Sequence, residues 1–371
     1  MDSRSFLCAV LIALCATVSN GGEASQAIEA IRAVGPKGEG HMQASRAAVE
    51  LSNASLGDLT LILQGMDGAN PLATNWLRVA AEAVAGRALD QGQDLPVAQL
   101  ESFALDRSHS PRPRRLAYEL IVRVDESAPD RLMPQMLDDT SLELRRDAVQ
   151  RVLDAAEIAE GERALALYSQ ALHAARDLDQ LKTCFEVLEK LDSKVNIAEH
   201  MGFVTKWHLI APFDNTAGKG YEAVYPPEHE IDLAAEYDGK EQKVRWVEAA
   251  SDDPYGIVDL ATTLSKFKGA VCYATTEISS PAAQTVDFRL GCINACKLWV
   301  NGDLIDSHEV YHAGMEVDQY IAPVELKAGT NRVLLKVCQN EQEESWAQRW
   351  QFQLRVTDAL GGAARVKVVS Q

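Results

Sequence analysis

The sequence predicts a chain that is α then β: an N-terminal helical array followed by a C-terminal antiparallel β-sandwich. Three observations carry that expectation. Apolar residues recur at helical spacing from about residue 25 to 202, and with a period of two from there on. Turn signals crowd the second stretch, at Asn301-Gly302, Ala328-Gly329, Pro226-Pro227 and Asp252-Asp253-Pro254. Five of the six Trp also fall there, where flat side chains fill the space between packed sheets. A chain of 371 residues is long enough for two modest domains, each with its own core. The expected divisions are a leader over 1–24, a helical domain over 25–202 and a sandwich over 203–371.

The leader is read from MDSRSFLCAVLIALCATVSNGGEAS. Arg4 precedes an apolar run over 6–18, and small and polar residues follow, the three-part layout of a secretory signal peptide. Cleavage after Ser19 and cleavage after Ala24 both fit, and an uncleaved helix is the structural alternative. Lipidation is disfavoured because Cys8 and Cys15 each follow Leu. No later stretch has the run of ~18 apolar residues that a membrane helix needs. The expectation is an exported protein, periplasmic or extracellular, with no membrane insertion once the leader is removed.

In the helical half, LRRDAVQRVLD sets Leu144, Ala148, Val149, Val152 and Leu153 on one face, and RRLAYELIVRVD does the same with Leu116, Ala117, Leu120, Ile121 and Val124. Three segments, NPLATNWLRVAAEAVAGRAL, SPRPRRLAYELIVRVD and TSLELRRDAVQRVLD, share an approach. Each follows an Asp-containing turn (Asp67, Asp106, Asp138 and Asp139), carries an early Arg (Arg78, Arg115, Arg146) and places Ala80, Ala117 or Ala148 on the buried side. The degenerate pattern D-x-(S/T)-x-x-(L/P)-R-x-x-A over about 40–175 resembles the HEAT repeat family. A non-repetitive α-bundle is the alternative.

In the second half, QTVDFRLG sets Val286, Phe288 and Leu290 on one face. NRVLLKV does so with Val333, Leu335 and Val337, and WQFQLRV with Trp350, Phe352, Leu354 and Val356. CKLWVNGDLI reads as a hairpin about Asn301-Gly302, since both central residues of a type I′ turn need φ > 0. Leu298 and Val300 are then the core pair, and Trp299 points to the opposite face.

Three pieces of this half, VTKWHLIAPFDN, FRLGCINACKLWVNGDLIDSHEVYHAGMEVD and VELKAGTNRVLLKV, spread over residues 204–337, resemble the galactose-binding-like (jelly-roll) sandwich. That fold occurs in carbohydrate-binding modules of secreted bacterial proteins and in the sugar-binding domain of family 2 glycoside hydrolases. The resemblance implies a non-catalytic module that binds a glycan or another protein, or one that is purely structural. Acidic loop residues that often precede the WVNG strand in that family are replaced here by Cys292-Ile293-Asn294-Ala295, so no role is carried over to that loop.

The chemistry-bearing residues are sparse. There is no G-x-S-x-G, H-E-x-x-H or P-loop, and no G-x-G-x-x-G after a strand, so the chain is expected not to be an enzyme and to need no cofactor. Acidic residues outnumber basic ones by 54 to 36, a balance that repels a phosphate backbone, and nucleic acid is not an expected partner. His308 and His312 lack a third ligand, so no metal is expected. Sugar rings stack on flat side chains while polar neighbours bind their hydroxyls, which makes Trp299, Asn301, His308, Tyr311, His312 and Trp346 the candidate ligand contacts. The odd set of five cysteines beyond the leader contains the disulfide candidates Cys272, Cys292, Cys296 and Cys338, with Cys292 and Cys296 placed to face each other across a hairpin; buried thiols are the alternative. The functional expectation is a binding or scaffold protein, with helices for a protein partner and the sandwich for a glycan or protein. An accessory subunit or degenerate relative of a glycoside hydrolase is the alternative.

Overall fold

In a computed structural model, residues 21–369 are described. The expected leader lies outside the described residues except at its end, where Gly21 already opens the first helix. By compactness the chain divides into two units, Met1–Glu157 with His173–Ala175, and Ile158–Leu172 with Arg176–Gln371. Helices occupy the first half and antiparallel strands the second.

The first unit carries α1 (Gly21–Arg32), α2 (His41–Ser52), α3 (Leu59–Gly65), α4 (Pro71–Asp90), α5 (Val97–Leu105), α6 (Pro111–Val122), α7 (Ala128–Leu132) and α8 (Leu142–Glu157). The sequence starts these helices where capping chemistry allows. The Asn70 side chain accepts from Ala73 N at 3.0 Å with Pro71 at the first helical position, and the Ser141 hydroxyl accepts from Leu144 N at 3.4 Å. Ala80, Ala117 and Ala148 lie in one core, as their spacing predicts.

The early Arg residues divide between two roles that the sequence pattern merged. Arg115 and Arg78 are partly exposed and tie α4, α6 and α8 into a surface ladder, through Arg78 with Glu119 (2.6 Å), Arg115 with Glu119 (2.9 Å), and Arg115 with Asp147. The buried positions are Arg114 and Arg145, each one residue earlier than the Arg115 and Arg146 read from the sequence. Arg114 donates to both carboxylate oxygens of Asp139 (2.9 and 2.5 Å) and to Ala104 O (2.9 Å), while Ser141 N donates to the same carboxylate (2.7 Å).

The second unit begins with α9 (Gly161–Ala174, whose last two residues group with the first unit), α10 (Leu178–Lys190) and α11 (Ile197–Met201). Gly202 ends α11 at φ 78°, and a Cβ there would sit 2.6 Å from Val356 O, so glycine is required on both counts. The strands follow: β1 (Lys206–Asp214), β2 (Glu236–Asp238), β3 (Lys243–Arg245), β4 (Val247–Ala250), β5 (Val258–Asp259), β6 (Ala270–Ser280), β7 (Gln284–Cys292), β8 (Ala295–Val300), β9 (Asp303–His308), β10 (Tyr320–Leu326), β11 (Gly329–Gln339), β12 (Gln351–Thr357) and β13 (Lys367–Val369). They form a seven-stranded sheet in the order β4-β1-β6-β11-β8-β9 with β13 also on β6, a four-stranded sheet β10-β7-β12-β5, and the ribbon β2-β3.

One apolar cluster takes side chains from both larger sheets, in a β-sandwich-like arrangement. The period-two reading holds residue by residue there: Phe288, Leu298, Leu335, Trp350, Phe352 and Leu354 all enter it. The hairpin reading holds too, since Asn301 and Gly302 have φ of 54° and 93° and Val300 pairs with Asp303.

The opposite face of the seven-stranded sheet has a second cluster, which the sequence did not signal. Between β1 and β4 the chain makes an excursion over 215–246, and its Tyr221, Val244 and Trp246 pack with Ile210, Phe213, Tyr273, Leu334 and Cys338. Lys336 is fully buried on this face. Its ammonium donates to Tyr221 O (3.1 Å), Ala223 O (2.6 Å) and Glu228 Oε1 (2.9 Å), and Tyr273 OH donates to the same carboxylate. Burial, together with that carboxylate, drives the Tyr273 phenol far above its ordinary pKa, so it stays a donor.

Candidate functional site

The six predicted contacts fall into four places. Trp299 faces away from the inter-sheet core, as its parity requires, but it is half-buried against the second cluster beneath the excursion. Beside it, the Lys297 ammonium lies 4.3 Å from the Tyr221 ring centre and 3.1 Å from Glu222. Asn301 is occupied in tying its turn to the neighbouring strand β11, with its amide donating to Asn331 Oδ1 at 2.9 Å and its oxygen accepting from Arg332 N at 3.1 Å. His308 stacks on Tyr320, with ring centres 3.6 Å apart and planes at 12°, and its Nε2 lies 2.9 Å from Asp306.

Tyr311, His312 and Trp346 are brought together by two loops at one end of the strands. Tyr311 OH accepts from Asn215 Nδ2 at 3.0 Å, and burial pushes its phenol up to about 12. His312 Nε2 lies 2.9 Å from Asn340 Oδ1, whereas its Nδ1 has no hydrogen-bond partner. The Trp346 ring stands edge-on to His312 at 5.1 Å and 88°, and the residue is 56% exposed. A flat apolar surface bordered by an imidazole and an amide can stack a ring and bind its substituents.

A cleft of about 420 Å³ at the uncovered end of the outer face was missed by sequence reasoning. His208, Thr275, Glu277 and Arg332 enter it from β1, β6 and β11, Glu248 from β4, and Ile231 and Leu233 wall it from the excursion. Arg332 grips Glu277 Oε1 through Nη2 (2.9 Å) and Nε (3.2 Å). The available signal was the alternation of K-W-H and the polar run T-T-E, but nothing local says that these strands are neighbours.

The cysteines depart from one expectation. β7 and β8 belong to different sheets, so the segment from Cys292 to Cys296 passes between sheets and is not a hairpin. Cys184, Cys272, Cys292, Cys296 and Cys338 are all buried thiols. Burial raises Cys184 to about 11 and Cys338 to about 12, and the Cys296 thiol is raised first by its hydrogen bond with Cys292 and then by burial. Native protein at mildly alkaline pH is therefore expected to leave these five thiols unmodified by iodoacetamide, and denatured protein to expose all five, counted by mass spectrometry. Recovery of three after denaturation would instead identify a disulfide. Among the described residues, no cluster of three or more His, Cys, Asp or Glu side chains is arranged to hold a metal ion.

No protein-family model and no curated relative matches the sequence. Among solved structures, the chain is similar to a GH31 α-xylosidase from Xanthomonas citri, with a TM-score of 0.20 and 11% identity over 42% of this chain and 16% of that one. It is also similar to a β-glucosidase from Kluyveromyces marxianus, with a TM-score of 0.27 and 8% identity over 78% of this chain and 36% of that one. The same enzyme in complex with glucose has a TM-score of 0.27 at 9% identity, over 75% and 35%. The chain spans well under half the length of these proteins, and a likeness this low carries no argument about activity.

Proposed function

We propose that this chain is an exported, non-catalytic binding or scaffold protein. Its strand-bearing unit, read as a galactose-binding-like jelly roll, binds a glycan, and its helical unit, read as a HEAT-like array, contacts a protein partner. The observation that carries the glycan reading is Trp346, a 56% exposed indole held edge-on to His312 beside the Asn340 amide. Large exposed aromatics flanked by polar side chains are what a saccharide surface requires. The Arg78–Glu119 and Arg115–Asp147 pairs, which join the alternate helices α4, α6 and α8, support the repeat reading. Export is supported by the leader pattern, and cleavage after Ser19 fits best because a cut after Ala24 would fall inside α1 and remove the buried Ala24.

Pull-down of the exported chain on insoluble polysaccharides tests the reading, and the N-terminal sequence of the same sample tests export. Retention on at least one polysaccharide is expected, falling at least tenfold in Trp346→Ala while unfolding stability changes by under about 0.5 kcal/mol, as for other exposed positions. Retention on none, or turnover of chromogenic glycosides by the intact chain, would overturn it.

A further inference from the structure

We infer that the cleft at the open end of the outer face is a subsite for a single saccharide ring. This rests on the reading that the strand-bearing unit binds glycans, and it adds a place distinct from the Trp346 loops.

The cleft exists because two strands part. β1 pairs with β6 only as far as His208 opposite Thr275, and the two residues before it, Lys206 and Trp207, keep their pairing with β4 on the other edge of β1 but have no partner on β6. On the same side of β6, β13 takes over with Val369 opposite Glu277. Thr276 lies between these two registers and has its cross-strand partner only on β11, at Val333. The fork leaves a hollow floored by outward-facing side chains of β6. A volume of about 420 Å³ suits one small ligand and is at the low end of known binding pockets, roughly 300–1,000 Å³.

The chemistry selects among ligands. Two fixed cations, Lys206 and Arg332, face two carboxylates, Glu248 and Glu277, so the hollow has no net formal charge. A phosphate would meet both carboxylates, and a bare metal ion would meet both cations. A neutral, hydroxyl-rich ring avoids both penalties. An arginine–carboxylate pair presents donor and acceptor side by side, so one of two vicinal hydroxyls accepts from Arg332 while the other donates to Glu277. The Thr275 hydroxyl donates to Val333 O at 2.8 Å and so offers its oxygen as an acceptor. Ile231 and Leu233 supply an apolar side for the C–H face of the ring.

The test is calorimetric titration of the full chain with methyl glycosides of glucose, galactose, mannose and xylose, in wild type, Leu233→Trp, Glu277→Gln and Trp346→Ala. Leu233→Trp fills the hollow from a partly buried wall, and Glu277→Gln removes the charge and one of the two acceptor oxygens without changing shape. At least one glycoside is expected to bind, with Kd raised tenfold or more in both cleft variants. Undiminished binding in both cleft variants overturns the inference. Loss in Trp346→Ala alone also overturns it, while the glycan reading survives. Failure of every glycoside and every polysaccharide to bind wild type sinks both.

Discussion

Replacing Lys336 by Met is expected to destabilise the strand-bearing unit by about 3–5 kcal/mol, the usual cost of stripping one partner from a buried ion pair. The Lys336 side chain is 1% exposed and that of Glu228 13%, so solvent does little to compensate. The substitution keeps the aliphatic stem but leaves the Glu228 carboxylate without its cation, and the carbonyls of Tyr221 and Ala223 without a donor. Those three acceptors all lie on the excursion over 215–246, so the lysine holds that segment to the sheet. The double variant Lys336→Met with Glu228→Gln removes the uncompensated charge, and its amide oxygen can still accept from Tyr273. It is expected to recover more than about 1 kcal/mol relative to the single change, as coupled neighbours do. Denaturant unfolding followed by Trp fluorescence reports this unit, because Trp76 is the one tryptophan outside it. A single variant within about 0.5 kcal/mol of wild type would contradict the account. The excursion also supplies Ile231 and Leu233, so the lysine acts as a positioning residue for the cleft wall.

Arg114→Met is expected to cost the helical unit a similar amount, about 3–5 kcal/mol, read from far-UV circular dichroism during denaturation. Arg114 and Asp139 are 0% and 1% exposed in their side chains, and the guanidinium makes a two-pronged contact with the carboxylate. Asp139 also accepts from Ser141 N at the start of α8, so losing the arginine disturbs a helix cap as well as a charge. Arg114→Lys is expected to rescue little. An ammonium cannot reach both carboxylate oxygens and Ala104 O from one planar fork. By contrast, Arg115→Ala touches only partly exposed pairs and is expected to cost under about 1 kcal/mol. Equal effects at positions 114 and 115 would refute the division of roles.

What the sequence determined by itself is what depends on near neighbours along the chain. Apolar period marks where helices give way to strands, between Met201 and Lys206. Alternation places Leu298, Phe352 and Leu354 in the core, and Asn301-Gly302 specifies a turn because few other residue pairs tolerate two positive φ values. Alternation says that a strand has two faces, but not what covers the second. Trp299 was legible as facing away from the core, yet its burial depends on the excursion, which lies across the sheet. Likewise, adjacent arginines at 114 and 115 look equivalent in a repeat pattern, and a rotation of about 100° per helical residue puts one in the core and the other in the surface ladder. Tyr311, His312 and Trp346 were legible as residue types suited to a ring, whereas their meeting required two loops to converge. The cleft was least legible of all. Its polar groups come from four strands, and they share one hollow only because β1 and β13 part over Thr276, a matter of sheet register that no local pattern records.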